Sequence, residues 1–466
     1  MRIKHFCLAS LLALAATVAA SAQSKVDSWI TTADESKLFQ HQTTTPAFKA
    51  GAANTNPTIE VNEAESFQPI DGFGFTLTGG SAQLLMQMTP SRRTEVLKEL
   101  FTTSNENIGI SYLRISVGAS DLNAFVFTYD DLTAGQTDLP LAKFDLGPDK
   151  KDVVPVLKEI LKINPKIKIL GSPWTAPVWM KTNGDTRGGS LKPEYGDVYA
   201  RYLVKYIQAM KAQDIRIDAI TVQNEPLHAG NNPSMYMPAA EQGEFVKQHL
   251  GPNFKKAGLD TKIIVYDHNA DKPEYPISIL NDPEAAKYID GSAFHLYGGK
   301  IDALSEVHKA HPDKNLYFTE QWMGAPAKFR DFRQHIKDLT IGATRNWSRT
   351  VLEWNLAGDP QNNPHTDRGG CDRCLGGITI DKDNITRNPA YYVAAHSAKF
   401  VRPGSVRIAT NYSDALPNVA FKTPDGKKVL IVINSSETAQ NFNIKYKGKL
   451  LSTSLESGAV STYVWK

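Results

Sequence analysis

Residues 217–227 read IDAITVQNEPL. Ile217, Ala219, Ile220 and Val222 are the apolar residues of a short buried strand. Pro226 stops it, because proline has no N–H to give to a ladder. The strand delivers Glu225 at its end. An acid placed where a buried strand stops is the pattern of a parallel barrel, whose functional groups sit at the C-terminal ends of the strands. Residues 315–322, NLYFTEQW, repeat the design and deliver Glu320.

On both sides of these stretches, strand and helix alternate. Strands are expected at 69–77, 112–117, 167–171, 217–222, 262–266, 291–296, 316–319 and 350–354. Helices are expected near 89–101, 153–163, 197–212, 240–250, 302–310 and 328–341, with a short one begun by Asp282-Pro283. Thr89-Pro90 supplies an N-cap followed by proline at the first helical position. Eight such units in about 320 residues predict an α/β fold of the (β/α)₈ TIM-barrel type. A doubly wound open sheet fits less well, because no Gly-x-Gly-x-x-Gly opens a helix.

Beyond residue 392 the rhythm changes. Residues 406–409, 418–422, 429–433, 441–446 and 461–465 alternate apolar and polar, and Thr423-Pro424-Asp425-Gly426 is a turn between two of them. This predicts an attached antiparallel β-sandwich over 393–466. Residues 23–68 form its lead-in, with 58–61 as an edge strand, and the barrel occupies 69–392.

The 466 residues carry a net charge of +3, or about +1 without Arg2 and Lys4. Nothing in that balance points to nucleic acid or an anionic membrane surface. Arg2 and Lys4, the apolar run 6–20 and Ala20-Ser21-Ala22 form a signal peptide over 1–22. The mature chain is therefore expected to be exported, periplasmic or secreted, and monomeric. No later segment is apolar enough to span a bilayer. After signal removal two cysteines remain, in Cys371-Asp372-Arg373-Cys374. In a cytosolic protein such a pair suggests zinc or redox chemistry, but there is no second pair. In an oxidising compartment a local disulfide is expected, which would fix the loop's shape.

Two carboxylates on one rim suggest glycoside hydrolysis. One protonates the leaving oxygen, and the other attacks the anomeric carbon or activates water. Arg114, which is expected to end the second strand, is expected near Glu320 and would hold it ionised. Glu225 would need a raised pKa to begin as the acid. Asn224 is placed to bond a sugar hydroxyl, and His295 and Tyr297 to orient Glu320 or bind hydroxyls. Trp174 and Trp179 follow the third strand, Trp322 the seventh and Trp354 ends the eighth. Flat rings there suit the C–H faces of sugars, though any one of them is as readily core. The sequence shows no metal-ligand cluster, no P-loop and no Ser/His/Asp elbow, so no metal and no cofactor is expected. A sugar-binding barrel without catalysis would be expected to lack one of the two acids. A transglycosylase would keep both.

At these residues the chain resembles glycoside hydrolase family 30, which includes lysosomal glucosylceramidase. The landmarks are DGFGFTLTGGSA (71–82), YLRISVGASDL (112–122), LGSPWTAPVWMKTNG (170–184), TVQNEP (221–226), HLYG (295–298), FTEQW (318–322), EWNLAGDP (353–360) and KFVRPGSVRI (399–408). The resemblance implies a sandwich built from both chain ends and retention of configuration. It implies Glu225 as acid/base and Glu320 as nucleophile, with Asp121, Trp174, Asn224, Tyr297 and Trp354 contacting the sugar. Gly79 stands where many members have Asp. After Pro364 the chain reads HTDRGGCDRCLGGITID, which resembles the endo-β-1,6-glucanase branch, where a paired-cysteine loop follows the eighth strand. The expected substrate is therefore β-1,6-glucan. An exo-acting β-glucosidase or glucosylceramidase is the alternative.

Overall fold

The structure is a computed structural model, described for residues 25–43, 47–50, 54–327 and 329–466; the expected signal peptide lies outside them. Eight parallel strands close into a barrel: β1 (Gly72–Leu77), β2 (Tyr112–Val117), β3 (Lys168–Pro173), β4 (Ala219–Thr221), β5 (Lys262–Ala270), β6 (Ile289–Gly299), β7 (Asn315–Glu320) and β8 (Ser348–Glu353). They pair in chain order, and β8 closes on β1. β1 to β3 are buried at nearly every position because helices cover the outside and side chains fill the inside.

The filling is layered with period two. Tyr112, Leu170, Ala219, Ile264, Ala293, Tyr317 and Leu352, one from each of β2 to β8, form an apolar floor. Two residues further along these strands stand Arg114, Ser172, Thr221, His295, Thr319 and Trp354. β5 breaks the period. Its pairing with β6 shifts register between Tyr266 and His268, and Tyr266 and Asp267 both have positive φ, 74° and 68°. The bulge carries Asp267 into the polar layer that strict alternation would have denied it.

The second unit is a nine-stranded sheet. Its order is Gln40–Gln42, Asp27–Thr31, Val460–Trp465, Lys428–Ile433, Asn418–Lys422, Val406–Thr410, Thr58–Pro69, Gln440–Tyr446, Lys449–Leu455. Leu430, Val432 and Tyr463 from one half share an apolar cluster with Ile59, Val61, Phe442, Ile444 and Leu451 from the other, which makes it a sandwich.

Three expectations are corrected. The strand expected at 58–61 runs the full Thr58–Pro69 and lies inside the sheet rather than at its edge. It also pairs in parallel with Gln440–Tyr446, so the sandwich is not wholly antiparallel. The barrel does not end at 392, because the helix Pro389–Ala398 packs on β1 and on the helix Phe329–His335. That helix shows no amphipathic stripe because it is covered on both sides, by the barrel and by the sheet.

His396 on this helix joins the two units. Thr462 Oγ1 donates to the His396 carbonyl at 3.1 Å and lies 2.9 Å from Nδ1, so it accepts from Nδ1–H. Nε2 then accepts from Thr31 Oγ1 at 2.8 Å. The ring is satisfied when neutral, and burial pushes its pKa down to about 3. The unfolded chain takes up this proton near the ordinary histidine value and the folded chain does not. Stability from this group is therefore complete above about pH 6.5 and is lost as pH falls toward 3, by up to about 1.4 kcal/mol per unit. His396→Gln is expected to flatten that part of the profile. Urea unfolding at pH 7.5 and 4.5 checks this, and an unchanged difference between the two would exclude His396 as the source.

Candidate active site

Glu225, Glu320, Asp121, Tyr297, Trp322, Trp354, Cys371 and Cys374 line one cavity of about 350 Å³ at the C-terminal rim. That size is within the range of small-ligand sites. His228, Asn231, His268 and Asn269 complete most of the wall.

Beneath the cavity lies a fully buried ionic layer. Arg114 Nη1 meets Glu320 Oε2 at 2.5 Å. Its Nη2 donates to Asp267 Oδ2 at 2.8 Å and to Asn224 Oδ1 at 2.5 Å. Asp267 also accepts from Ser172 and Thr221 on Oδ2 and from Thr319 on Oδ1, each at 2.6–2.7 Å. His295 Nε2 lies 3.1 Å from Asp267 Oδ1. Burial pushes the Asp267 carboxyl up, but Arg114 and His295 outweigh it and hold the group well below the ordinary range. Burial likewise acts against the charge on Arg114, and Asp267 and Glu320 more than restore it.

The two acids meet at one imidazole nitrogen. His295 Nδ1 is 3.3 Å from Glu225 Oε1 and 3.8 Å from Glu320 Oε1. The sum of these distances, about 7 Å, is the farthest apart those two oxygens can lie. Tyr297 O–H donates to Glu320 Oε1 at 3.0 Å, and Asn231 Nδ2 to Glu225 Oε2 at 3.2 Å. Glu225 has φ +43°, a strained backbone for a residue with a Cβ, and its N–H bonds the Asp267 carbonyl at 2.9 Å.

Burial works against the charge on His295, but Glu320, Asp267 and Glu225 raise its pKa to about 9. Burial pushes Glu225 up, yet the bonded, charged His295 brings it below its ordinary value. Glu320 is pushed above its ordinary value by burial, with His295 and Arg114 opposing and Glu225 and Asp267 adding to it. The expectation that Arg114 would keep Glu320 low is therefore reversed by burial, and the expectation that Glu225 would sit high is reversed by the charged His295. Asp121 is raised to about 8, first by burial and then by Glu320 and Glu225. His268 is pushed down to about 4 by burial.

The aromatic residues divide into wall and support. Trp322 and Trp354 line the cavity and are joined by a parallel bridge. Trp174 lies behind them, 5.4 Å from Trp354 and 4.8 Å from the Arg114 guanidinium, and Trp179 packs on Tyr195. Asn224 also sits behind the wall, committed to Arg114. Arg114 is the third residue of β2 rather than its end. Cys371 and Cys374 form the expected disulfide. Cys374–Leu375 pairs with Met323–Gly324, and Cys374 packs with Leu122, Trp174 and Trp354. The loop that carries the disulfide is tied across the rim, with Thr366 N–H on the Asp121 carbonyl and Arg368 on Asp185.

The Glycosyl hydrolase family 30 TIM-barrel domain is matched over residues 70–401, and the Glycosyl hydrolase family 30 beta sandwich domain over 404–463. The chain belongs to glycosyl hydrolase family 30. Within this family it is similar to Endo-1,6-beta-D-glucanase neg1 of Aspergillus fumigatus, 34% identical over 87% of each chain. Lysosomal acid glucosylceramidase of Mus musculus is 29% identical, over 90% of this chain and 85% of that one. The solved structure of the endo-β1,6-glucanase BT3312 matches with a TM-score of 0.87 at 36% identity, over 94% of this chain and 99% of the other. The family 30 chain is thus a glycoside hydrolase with a carbohydrate substrate.

Sequence reading missed Asp267, His268, Asn231, His228 and Asn269. Asp267 was hidden by the bulge, and Asn231 and His228 stand in a loop with no periodicity. Glu225, His268 and His295, from three adjacent strand ends, bring potential metal-ligating atoms within 4.8 Å of one another. Chain spacing gave no sign of it.

Proposed function

We propose that the chain is a retaining endo-acting glucanase that hydrolyses β-1,6-glucosidic bonds, as an exported monomer. The observation that carries the mechanism is the meeting of two buried carboxylates at His295 Nδ1, and retention follows what the family 30 resemblance implies. Glu320, held by the permanent charge of Arg114 and by Tyr297 O–H, is the nucleophile. Glu225, protonated from His295, is the acid. Glu320 attacks the anomeric carbon as Glu225 gives its proton to the departing oxygen. Glu225 then takes a proton from the water that hydrolyses the glucosyl ester.

The linkage rests on relatives at 32–36% identity whose names specify β-1,6-glucan. Export is supported by the N-terminal segment and by the Cys371–Cys374 disulfide, which suits an oxidising compartment. Chromatography of the products from a linear β-1,6-glucan, beside glucosylceramide and an aryl β-glucoside, tests the substrate. A ladder of oligosaccharides is expected. Glucose alone, or turnover of glucosylceramide only, would replace this reading with an exo-acting glucosidase.

A further inference from the structure

We propose that Glu225, His268 and His295 form a capture site for a d-block dication of the zinc and copper class, which occupies the sugar position and reversibly blocks the enzyme. The site is made by the ends of β4, β5 and β6, which are neighbours in the barrel. Glu225 Oε1 lies 3.3 Å from His295 Nδ1 and 3.9 Å from His268 Nδ1. Ligands about 2.0–2.1 Å from a tetrahedral metal stand roughly 3.3–3.4 Å from one another. One edge of that tetrahedron is already present, and the second needs a closure of about half an ångström.

Three further observations point the same way. His268 Nδ1 is buried and has no hydrogen-bond partner among the described residues, although it faces Glu225 at 3.9 Å. His295 is backed through Nε2 by Asp267 at 3.1 Å, the carboxylate–imidazole support that orients metal-bound histidines. Asp267 is itself fixed by Ser172, Thr221 and Thr319. Glu320 Oε1, 3.8 Å from His295 Nδ1, is within reach as a fourth ligand.

Glu225, Glu320 and Asp121 face the cavity, and His228 lines it as well. The ion replaces the proton on His295 Nδ1, which is released to solvent as the metal–nitrogen bond forms. The permanent cation beneath, Arg114, is already engaged by Asp267 and Glu320. Two imidazoles and a carboxylate select zinc, copper, nickel or cobalt over magnesium and calcium, which take oxygen ligands. Nothing in the proposed hydrolysis needs this ion. Its effect is to engage the acid and exclude the sugar. Only the activity arm of the test rests on the proposed function.

The test is calorimetric titration of the full chain with Zn²⁺, then with Mg²⁺. One Zn²⁺ per chain is expected, removable by EDTA, with no Mg²⁺ binding at the same concentration. His268→Asn and the isosteric Glu225→Gln, each with an intact unfolding transition, are expected to weaken Zn²⁺ at least about tenfold. In turnover of an aryl β-glucoside, Zn²⁺ is expected to raise KM and leave kcat unchanged. Undiminished one-site binding in both variants, or equal binding of Mg²⁺, would overturn the proposal. So would a fall in kcat with KM unchanged. A chain that binds Zn²⁺ as expected but cleaves no glucan would overturn the proposed function alone.

Discussion

Glu320→Gln is expected to lower kcat on β-1,6-glucan by at least about 10⁴-fold while the chain still unfolds in one cooperative transition. The amide keeps the shape of the side chain and can still accept from Tyr297. It cannot attack the anomeric carbon as an anion, and it leaves half of the Arg114 fork without a charged partner. Steady-state turnover beside a calorimetric scan separates lost chemistry from lost structure. Near-normal rates in Glu320→Gln would remove it from the nucleophile's role. The contrast is Glu225→Ala, where a loss of about 10²–10⁴-fold is expected on glucan but far less on an aryl glucoside whose leaving group departs without a proton. Equal losses on both substrates would count against Glu225 as the acid.

Arg114→Met is expected to destabilise the fold by about 3–5 kcal/mol. Methionine fills much of the volume but leaves Asp267 as an anion with no exposed surface to hydrate it and Glu320 with only the little it shows to the cavity. Arg114→Lys should fall between, because a single ammonium cannot reproduce the two-armed contact that joins Glu320 to Asp267 and Asn224. Adding Asp267→Asn to Arg114→Met should recover part of the loss, since it removes one of the stranded charges. Equilibrium unfolding in urea measures each variant. A loss under about 1 kcal/mol in Arg114→Met would mean that this layer is not what braces the barrel.

The barrel was legible because β1 to β8 are short apolar runs that need cover on both faces, and only helices after each strand supply it. The two acids were legible because each stands where such a run stops. What sequence could not show follows from breaks in period. Asp267 enters the ionic layer only because Tyr266 and Asp267 take a left-handed backbone, and neither residue type announces that. The strand Thr58–Pro69 looked short because Glu63, Ala64 and Glu65 interrupt its apolar alternation. The helix Pro389–Ala398 gave no stripe because both of its sides are buried. The ring of Trp174 stands behind Trp354, while Trp322 and Trp354 line the cavity, a division that strand position alone did not show.

The strand Asp27–Thr31 is hydrogen-bonded to Val460–Trp465, so its partner is made more than about 400 residues later. At about 5–20 residues per second, the ribosome takes roughly 20 to 90 s to supply it. For that interval the early strand is an open edge, a template for any neighbouring chain. The order of synthesis therefore makes this protein's yield depend on how crowded its own nascent chains are.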